Sequence, residues 1–190
     1  MTTRRIFAAI EISDDVRRAS AAYIQTLRIA DVEHLMRWER PEKLHITLKF
    51  LPRATEDDLS SIRLVLDAAA RGHGAFEAEL SGAGAFPDAR RPRVLWLGVG
   101  MGAASISALA GTIEALARAS GIAAEERSFH PHLTIGRVRD SRQARSTVER
   151  HLKTALPPLA FTVDHLTLFE SKLTAAGSFY STLSTHVLSA

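Results

Sequence analysis

Polar and apolar residues alternate along the segment KLHITLKF, which runs from Lys43 to Phe50. Successive side chains of a β-strand point to opposite faces. The alternation therefore predicts a strand on which His45, Thr47 and Lys49 share one face. The opposite face is wholly apolar and consists of Ile46, Leu48 and Phe50. A strand with one apolar face indicates burial of that face against helices.

Apolar periodicity and end signals predict the other elements. Helices are expected over residues 14–29, 57–71, 103–120 and 141–155, with acidic first turns, a capping box at TEDD and a terminal glycine or proline as their boundaries. Strands are expected over residues 5–12, 76–86, 93–99, 132–138, 160–171 and 178–188, the last two joined as a hairpin.

The strand HLTIGRV repeats the polar pair of the first strand, with His132 and Thr134 on one face together with Gly136. The segments before and after about residue 90 resemble each other in their order of helices and His-x-Thr strands, which indicates an internal duplication. The predicted fold is α+β, with two lobes of antiparallel sheet backed by helices and related by a pseudo-two-fold axis. Residues 1–190 are expected to form one domain in which the lobes are intertwined.

Composition narrows the function classes. The 190 residues are 46% hydrophobic and contain no cysteine, which excludes disulfides, thiolate metal sites and a cysteine nucleophile. The net charge of +3 comes mostly from arginine, which permits an anionic ligand. No long apolar run is present, so a cytoplasmic protein with no membrane association is expected. A monomer with no obligate protein partner is the default, since no oligomerisation motif is visible.

Two imidazoles facing each other across a cleft can act as acid and base in one step. Two threonine hydroxyls can donate hydrogen bonds to phosphate oxygens, and Gly136 would let a ligand approach closely. Arg137 could bind phosphate, but strict alternation places it on the wrong face unless the strand bulges or ends at Gly136. The set matches phosphodiester cleavage by His45 and His132, with Thr47 and Thr134 holding the phosphate and with no cofactor.

Two other functions fit parts of the pattern. His130 and His132 have a spacing that zinc can use, with His45 as a third ligand, but a zinc site does not explain the threonine after each histidine. A non-catalytic nucleotide-binding module is the other alternative, and the presence of both complete pairs disfavours it. Further substrate contacts are hypothesised at Lys49, Phe50, His130 and the arginines at 90, 91 and 93.

The motifs HITL and HLTI resemble the paired His-x-Thr-x motifs of the 2H phosphoesterases. The segments RIFAAIEI, LHITLKFL, GAFPDARRPRVLWLGV, FHPHLTIGRV and LTLFESKL are similar to the bacterial and archaeal RNA 2′,3′-cyclic phosphodiesterases, also called 2′-5′ RNA ligases. The resemblance covers nearly the whole chain in order. It implies a bilobal fold with the site in a central cleft.

The resemblance also implies roles at matching positions. His45 would protonate the leaving 3′ oxygen, His132 would take a proton from water, and Thr47, Thr134 and Arg137 would hold the phosphate. The implied substrate is RNA or a nucleotide with a 2′,3′-cyclic phosphate end, hydrolysed to a 2′-phosphate without metal. The implied reverse reaction joins RNA ends in a 2′-5′ linkage. Pro52 stands where the family often has glycine, which puts the shape of the next loop in doubt.

Overall fold

The computed structural model describes residues 2–31, 33–175 and 177–189. Within these ranges it contains four α-helices: α1 (Asp14–Ala30), α2 (Glu56–Arg71), α3 (Ala103–Ala119) and α4 (Arg145–Lys153). It also contains nine strands: β1 (Arg4–Glu11), β2 (Met36–Trp38), β3 (His45–Ala54), β4 (Phe76–Phe86), β5 (Val94–Val99), β6 (His132–Val138), β7 (Leu159–Val163), β8 (His165–Thr174) and β9 (Gly177–Val187). No helix in the described part of the chain is long and apolar enough to cross a membrane.

The strands form two antiparallel sheets, which confirms the predicted α+β architecture. One sheet has the order β3-β1-β8-β9, and α2 and α3 lie on it; we call this unit the His45 lobe. The other has the order β2-β6-β5-β4-β7, with α1 and α4 against it; we call it the His132 lobe. Strands β3 and β6 are in contact where the lobes meet, so the two His-x-Thr strands lie on either side of one cleft.

The lobes do not divide at residue 90. β4 follows α2 in the chain but pairs with β5 in the His132 lobe, and β8 returns from the C-terminal part to pair with β1. Helix α1 follows β1 but packs against β2 and β7 of the other sheet. The two halves of the chain are thus interleaved, and each lobe needs both of them.

Two predicted elements differ from the structure. The strand expected over residues 160–171 is two strands, because the chain leaves the His132 sheet at Val163 and enters the His45 sheet at His165. The predicted fourth helix is shorter at both ends, since residues 141–144 form turns and α4 ends at Lys153. Strand β2 was not predicted, because three residues are too few for a periodic pattern. In the β8–β9 hairpin, Ala176 lies outside the described residues.

Candidate active site

A cleft of about 210 Å³ lies between the lobes and contains both predicted pairs. Its lining residues are Arg5, Phe7, Glu39, Lys43, His45, Thr47, Phe50, His132, Thr134, Arg137, Ser171 and Tyr180. Each lobe therefore supplies one histidine and one threonine to the same space, as the alternation along β3 and β6 predicts.

A β-bulge follows the threonine in each motif strand. In β3, Ala9 pairs with Thr47 and Ala8 pairs with Lys49, so Leu48 is the extra residue. In β6, Trp96 pairs with Thr134 and Leu95 pairs with Gly136, so Ile135 is the extra residue. An extra residue shifts the alternation by one position, so the residues beyond it exchange faces.

The bulge in β3 corrects the prediction for Lys49 and Phe50. Lys49 lies on the core face and is only 5% exposed. Its Nζ donates to Glu114 Oε2 at 2.7 Å and to the carbonyl oxygen of Ala123 at 2.8 Å, so it does not line the cleft. Phe50, which alternation places on the core face although it is also a hypothesised substrate contact, lines the cleft, with the guanidinium of Arg5 over its ring at 4.7 Å from the centroid.

The bulge in β6 brings Arg137 onto the cleft face of the strand, as the sequence required of a bulge before Arg137. The guanidinium lines the cleft beside Glu39, with 3.8 Å between Arg137 Nε and Glu39 Oε1. Gly136 is turned away from the cleft, contrary to the prediction. A Cβ there would lie 3.0 Å from the indole of Trp38 and 3.3 Å from Met36, so this glycine makes room for β2 rather than for a ligand.

His45 is enclosed by aromatic rings. It stacks on Phe7 with 4.7 Å between ring centroids and meets the edge of Tyr180 at 5.7 Å. Its Nδ1 donates to the carbonyl oxygen of Lys43 at 2.6 Å, which leaves Nε2 3.0 Å from the Thr47 hydroxyl. Burial lowers the pKa of His45 to about 4, so the imidazole is neutral at neutral pH.

His132 has the same backbone contact in more open surroundings. Its Nδ1 donates to the carbonyl oxygen of His130 at 2.7 Å, and its ring meets the edge of Phe86 at 5.0 Å between centroids. Burial also lowers the pKa of His132, partly offset by the hydrogen bond to the His130 carbonyl. In each histidine the protonated Nδ1 is fixed by the main chain, so Nε2 is the atom available for proton transfer.

His130 itself lies beside the cleft rather than in it. Its exposed ring packs against Trp96 at 4.9 Å and Phe86 at 5.7 Å between centroids. The structure thus does not bring His45, His130 and His132 together as a zinc site. Within residues 2–31, 33–175 and 177–189, no group of three or more His, Asp or Glu side chains is arranged to hold a metal ion.

The arginines at 90, 91 and 93 lie in or beside the turn that precedes β5. All three are exposed, and the backbone amides of Arg90 and Arg91 donate to Asp88 Oδ1 at 2.7 and 2.9 Å. They are not among the residues that line the cleft. Their predicted contact with RNA stays a prediction.

Comparison with known proteins agrees with this geometry. The family model of the 2′-5′ RNA ligase superfamily matches residues 16–174, a stretch that includes both His-x-Thr pairs and Arg137. The chain belongs to the 2′-5′ RNA ligase superfamily.

Other members of the superfamily carry more specific names. A Methanothermobacter thermautotrophicus protein named RNA 2′,3′-cyclic phosphodiesterase is 32% identical over 182 residues, which cover 93% of this chain and 95% of that protein. An Aquifex aeolicus protein of the same name is 31% identical and covers 80% of this chain and 81% of its own length.

Solved structures show the same fold. A crystal structure from Thermus thermophilus aligns with a TM-score of 0.78 at 26% identity and covers 97% of both chains. E. coli LigT, crystallised with 3′-AMP, aligns with a TM-score of 0.78 at 23% identity and covers 99% of both chains. The resemblance to the 2H phosphoesterase fold predicted from sequence is therefore confirmed.

Six cleft residues of this superfamily member were missed by sequence reasoning: Arg5, Phe7, Glu39, Lys43, Ser171 and Tyr180. Arg5 and Phe7 lie two positions apart on β1 and therefore share one face of the strand. They could have been predicted to line the cleft if β1 had been placed beside β3. Ser171 and Tyr180 form a cross-strand pair of β8 and β9, so their position depends on the return of the C-terminal strands to the first sheet.

A further residue outside the cleft fixes the position of His45. The Arg17 guanidinium in the first turns of α1 donates to the carbonyl oxygens of Ile12, Pro41 and Leu44 at 3.0 to 3.2 Å. These contacts hold the short 3₁₀ turn Pro41–Lys43, whose last carbonyl accepts from His45 Nδ1. No local pattern predicts this contact, because the sequence around Arg17 indicates only an exposed arginine on a helix.

Proposed function

We propose that this protein hydrolyses 2′,3′-cyclic phosphate ends of RNA, or of nucleotides, to 2′-phosphates by acid–base catalysis that requires no metal ion. The observation that carries the proposal is the entry of both His-x-Thr pairs and Arg137 into one cleft. The names of the superfamily relatives support the same substrate.

The proposed chemistry assigns one proton transfer to each histidine. Water attacks phosphorus as His132 Nε2 accepts its proton, the bond between phosphorus and O3′ breaks, and His45 Nε2–H donates a proton to O3′. The hydroxyls of Thr47 and Thr134 donate to the phosphate oxygens, and the Arg137 guanidinium neutralises their charge. The product keeps the phosphate on O2′.

Protonation of His45 is the demanding step in this scheme. With a pKa of about 4, His45 is neutral at neutral pH, whereas a general acid must carry a proton. A bound phosphate anion favours the charged imidazolium, so the proposal requires that substrate binding raise the pKa of His45. Without that shift, His45 would stay neutral at neutral pH and could act only as a base.

The decisive experiment is an assay of RNA ending in a 2′,3′-cyclic phosphate, run with excess chelator and with identification of the product. Formation of the 2′-phosphate is expected. Formation of the 3′-phosphate would overturn the assignment of proton roles, since the other ester bond would have broken. An absence of any hydrolysis, or a loss of activity on chelation that zinc restores, would overturn the proposal itself.

The nucleoside next to the phosphate is proposed to contact Phe50. This ring lies at the edge of the cleft and carries the Arg5 guanidinium on one face, which is a flat and partly cationic surface. Bases stack on such surfaces without strong sequence preference.

The same cleft is proposed to support ligation, which is the same displacement with a different nucleophile. An RNA hydroxyl in place of water would attack phosphorus, O3′ would leave with a proton, and a 2′-5′ linkage would result. The description of the superfamily supports this activity. Incubation of a cyclic-phosphate-ended RNA with a 5′-hydroxyl RNA, followed by a search for a 2′-5′ junction, tests it.

A further inference from the structure

Glu39 is the one carboxylate among the residues that line the cleft. Its side chain is 23% exposed, and the residue comes directly after the last residue of β2. A carboxylate beside a phosphate site repels the ligand that the site binds, and the repulsion is stronger where protein displaces water. Its presence therefore calls for a role that compensates for this cost.

The main chain fixes Glu39 in place. Its backbone N–H donates at 2.9 Å to the carbonyl oxygen of Ile135, the extra residue of the β6 bulge. Its Oε1 lies 3.8 Å from Arg137 Nε. The bulge that turns Arg137 into the cleft thus also fixes a negative charge beside it.

The charges that face Glu39 are mostly positive. The ionisable groups that share the cleft with it are Arg5, Lys43, His45, His132, Arg137 and Tyr180. Lys43 Nζ also donates to the carbonyl oxygen of Ser178, and its charge stays in the cleft. Three cationic side chains and one carboxylate therefore determine how strongly an anion is held.

We propose that Glu39 makes the cleft select by charge, so that it accepts the monoanionic cyclic phosphodiester and releases the dianionic phosphomonoester. This inference rests on the proposed function, in which the substrate carries one negative charge and the product carries close to two above a pH of about 6. Coulomb repulsion grows with the product of the charges, so a fixed carboxylate disfavours the dianion about twice as strongly. Glu39 then hastens product release and keeps other phosphomonoesters out of the cleft.

The test is equilibrium binding of two probes, adenosine 2′,3′-cyclic monophosphate and adenosine 2′-monophosphate. The measurements use the His132→Ala background, so that the cyclic probe is not consumed. Glu39→Gln removes the charge and keeps the shape. Glu42→Gln is the matched control, because Glu42 is exposed in the turn before His45 and does not line the cleft.

At pH 8, Glu39→Gln is expected to tighten binding of the 2′-monophosphate about 10-fold and of the cyclic probe about 3-fold. At pH 5.5 the monoester is mostly monoanionic, so the two gains are expected to become equal. Glu42→Gln is expected to change neither. In the otherwise native enzyme, Glu39→Gln should make the 2′-monophosphate a correspondingly stronger product inhibitor.

Equal gains for both probes at pH 8 would overturn selection by charge. Weaker binding of both would overturn it as well, and would show instead that Glu39 is needed to orient Arg137. If the His132→Ala protein that retains Glu39 bound neither probe, the proposed function would fail, and the inference that rests on it would fail with it.

Discussion

The two halves of the cleft share one backbone plan and differ in what surrounds the histidine. In both, histidine Nδ1 donates to the carbonyl oxygen two residues before it, and a bulge follows the threonine. His45 stacks inside a cluster of aromatic rings, whereas His132 is less enclosed and lies beside the exposed His130, the edge of Phe86 and the more distant Trp96. The repeated backbone determines how each imidazole is oriented, and the surrounding side chains determine its pKa.

Phe50 and Arg137, each three positions after a threonine, also share a backbone position and differ in their side chains. The bulge turns Phe50 into the cleft in one lobe and Arg137 into it in the other. Equal backbone positions thus carry an aromatic ring on one side and a guanidinium on the other. The duplicated strands supply matched places, and the side chains at those places make the two halves of the site complementary.

The largest expected effect separates the histidines by role. His45→Ala and His132→Ala should each lower kcat by ~10²–10⁴-fold, the usual contribution of a general acid or base. A substrate with sulfur in place of O3′ has a leaving group that needs little protonation. It should restore most of the activity of His45→Ala and little of that of His132→Ala, in single-turnover rates.

Restoration of His132→Ala rather than His45→Ala by the sulfur substrate would reverse the roles. Restoration of neither would indicate that both histidines act on the attacking side or hold the phosphate.

Substitutions of Arg137 and Phe50, the matched positions after the two bulges, are expected to have a smaller effect on activity. Arg137→Ala should lower kcat/KM by roughly 10–100-fold, because it removes a charge-assisted contact to phosphate. Phe50→Ala should lower it about 3–10-fold and only for substrates with a base, since it removes stacking. Steady-state rates with a nucleoside cyclic phosphate and a base-free ribose cyclic phosphate measure both. A base-independent loss in Phe50→Ala would count against stacking.

Lys49 tests the β3 bulge through stability rather than activity. Lys49→Met should leave kcat/KM within about 2-fold and lower the free energy of unfolding by ~1–3 kcal/mol, because the partly exposed Glu114 loses its buried partner. Urea denaturation measures the loss. Lys153→Met, at an exposed lysine at the end of α4, is the control and should change neither quantity. A large loss of activity with unchanged stability would place Lys49 in the site after all.

The smallest expected effect is in the protonation of the two rings. In the free enzyme His45 should titrate near pH 4 and His132 below its ordinary value of 6.5, so kcat/KM should be highest on the acid side of neutrality. Phe7→Ala admits water to His45 and should raise its pKa toward 6.5, while His132 is unaffected. NMR titration of the imidazole protons measures both. A free-enzyme pKa near 6.5 for His45 in the parent protein would contradict the burial argument.

Sequence was sufficient for the parts of the site that depend on local alternation. His45, Thr47, His132 and Thr134 reach the cleft because the strand is regular between the two members of each pair, which are two positions apart. The positions of Lys49, Phe50 and Gly136 could not be predicted, because a bulge is set by pairing with a neighbouring strand and leaves no local pattern. The position of Tyr180 could not be predicted for a related reason, since this residue enters the site only through the pairing of β9 with β8.

The interleaving of the two sheets has a consequence for how the enzyme is made. Both His-x-Thr motifs have been synthesised once Val138 is added to the chain, yet β8 and β9 are still missing from the sheet that carries His45. Those late strands supply Phe169 and Tyr180 around its ring. A growing chain can therefore contain both motifs without a finished cleft, and the proposed hydrolysis has to wait for the synthesis of β8 and β9.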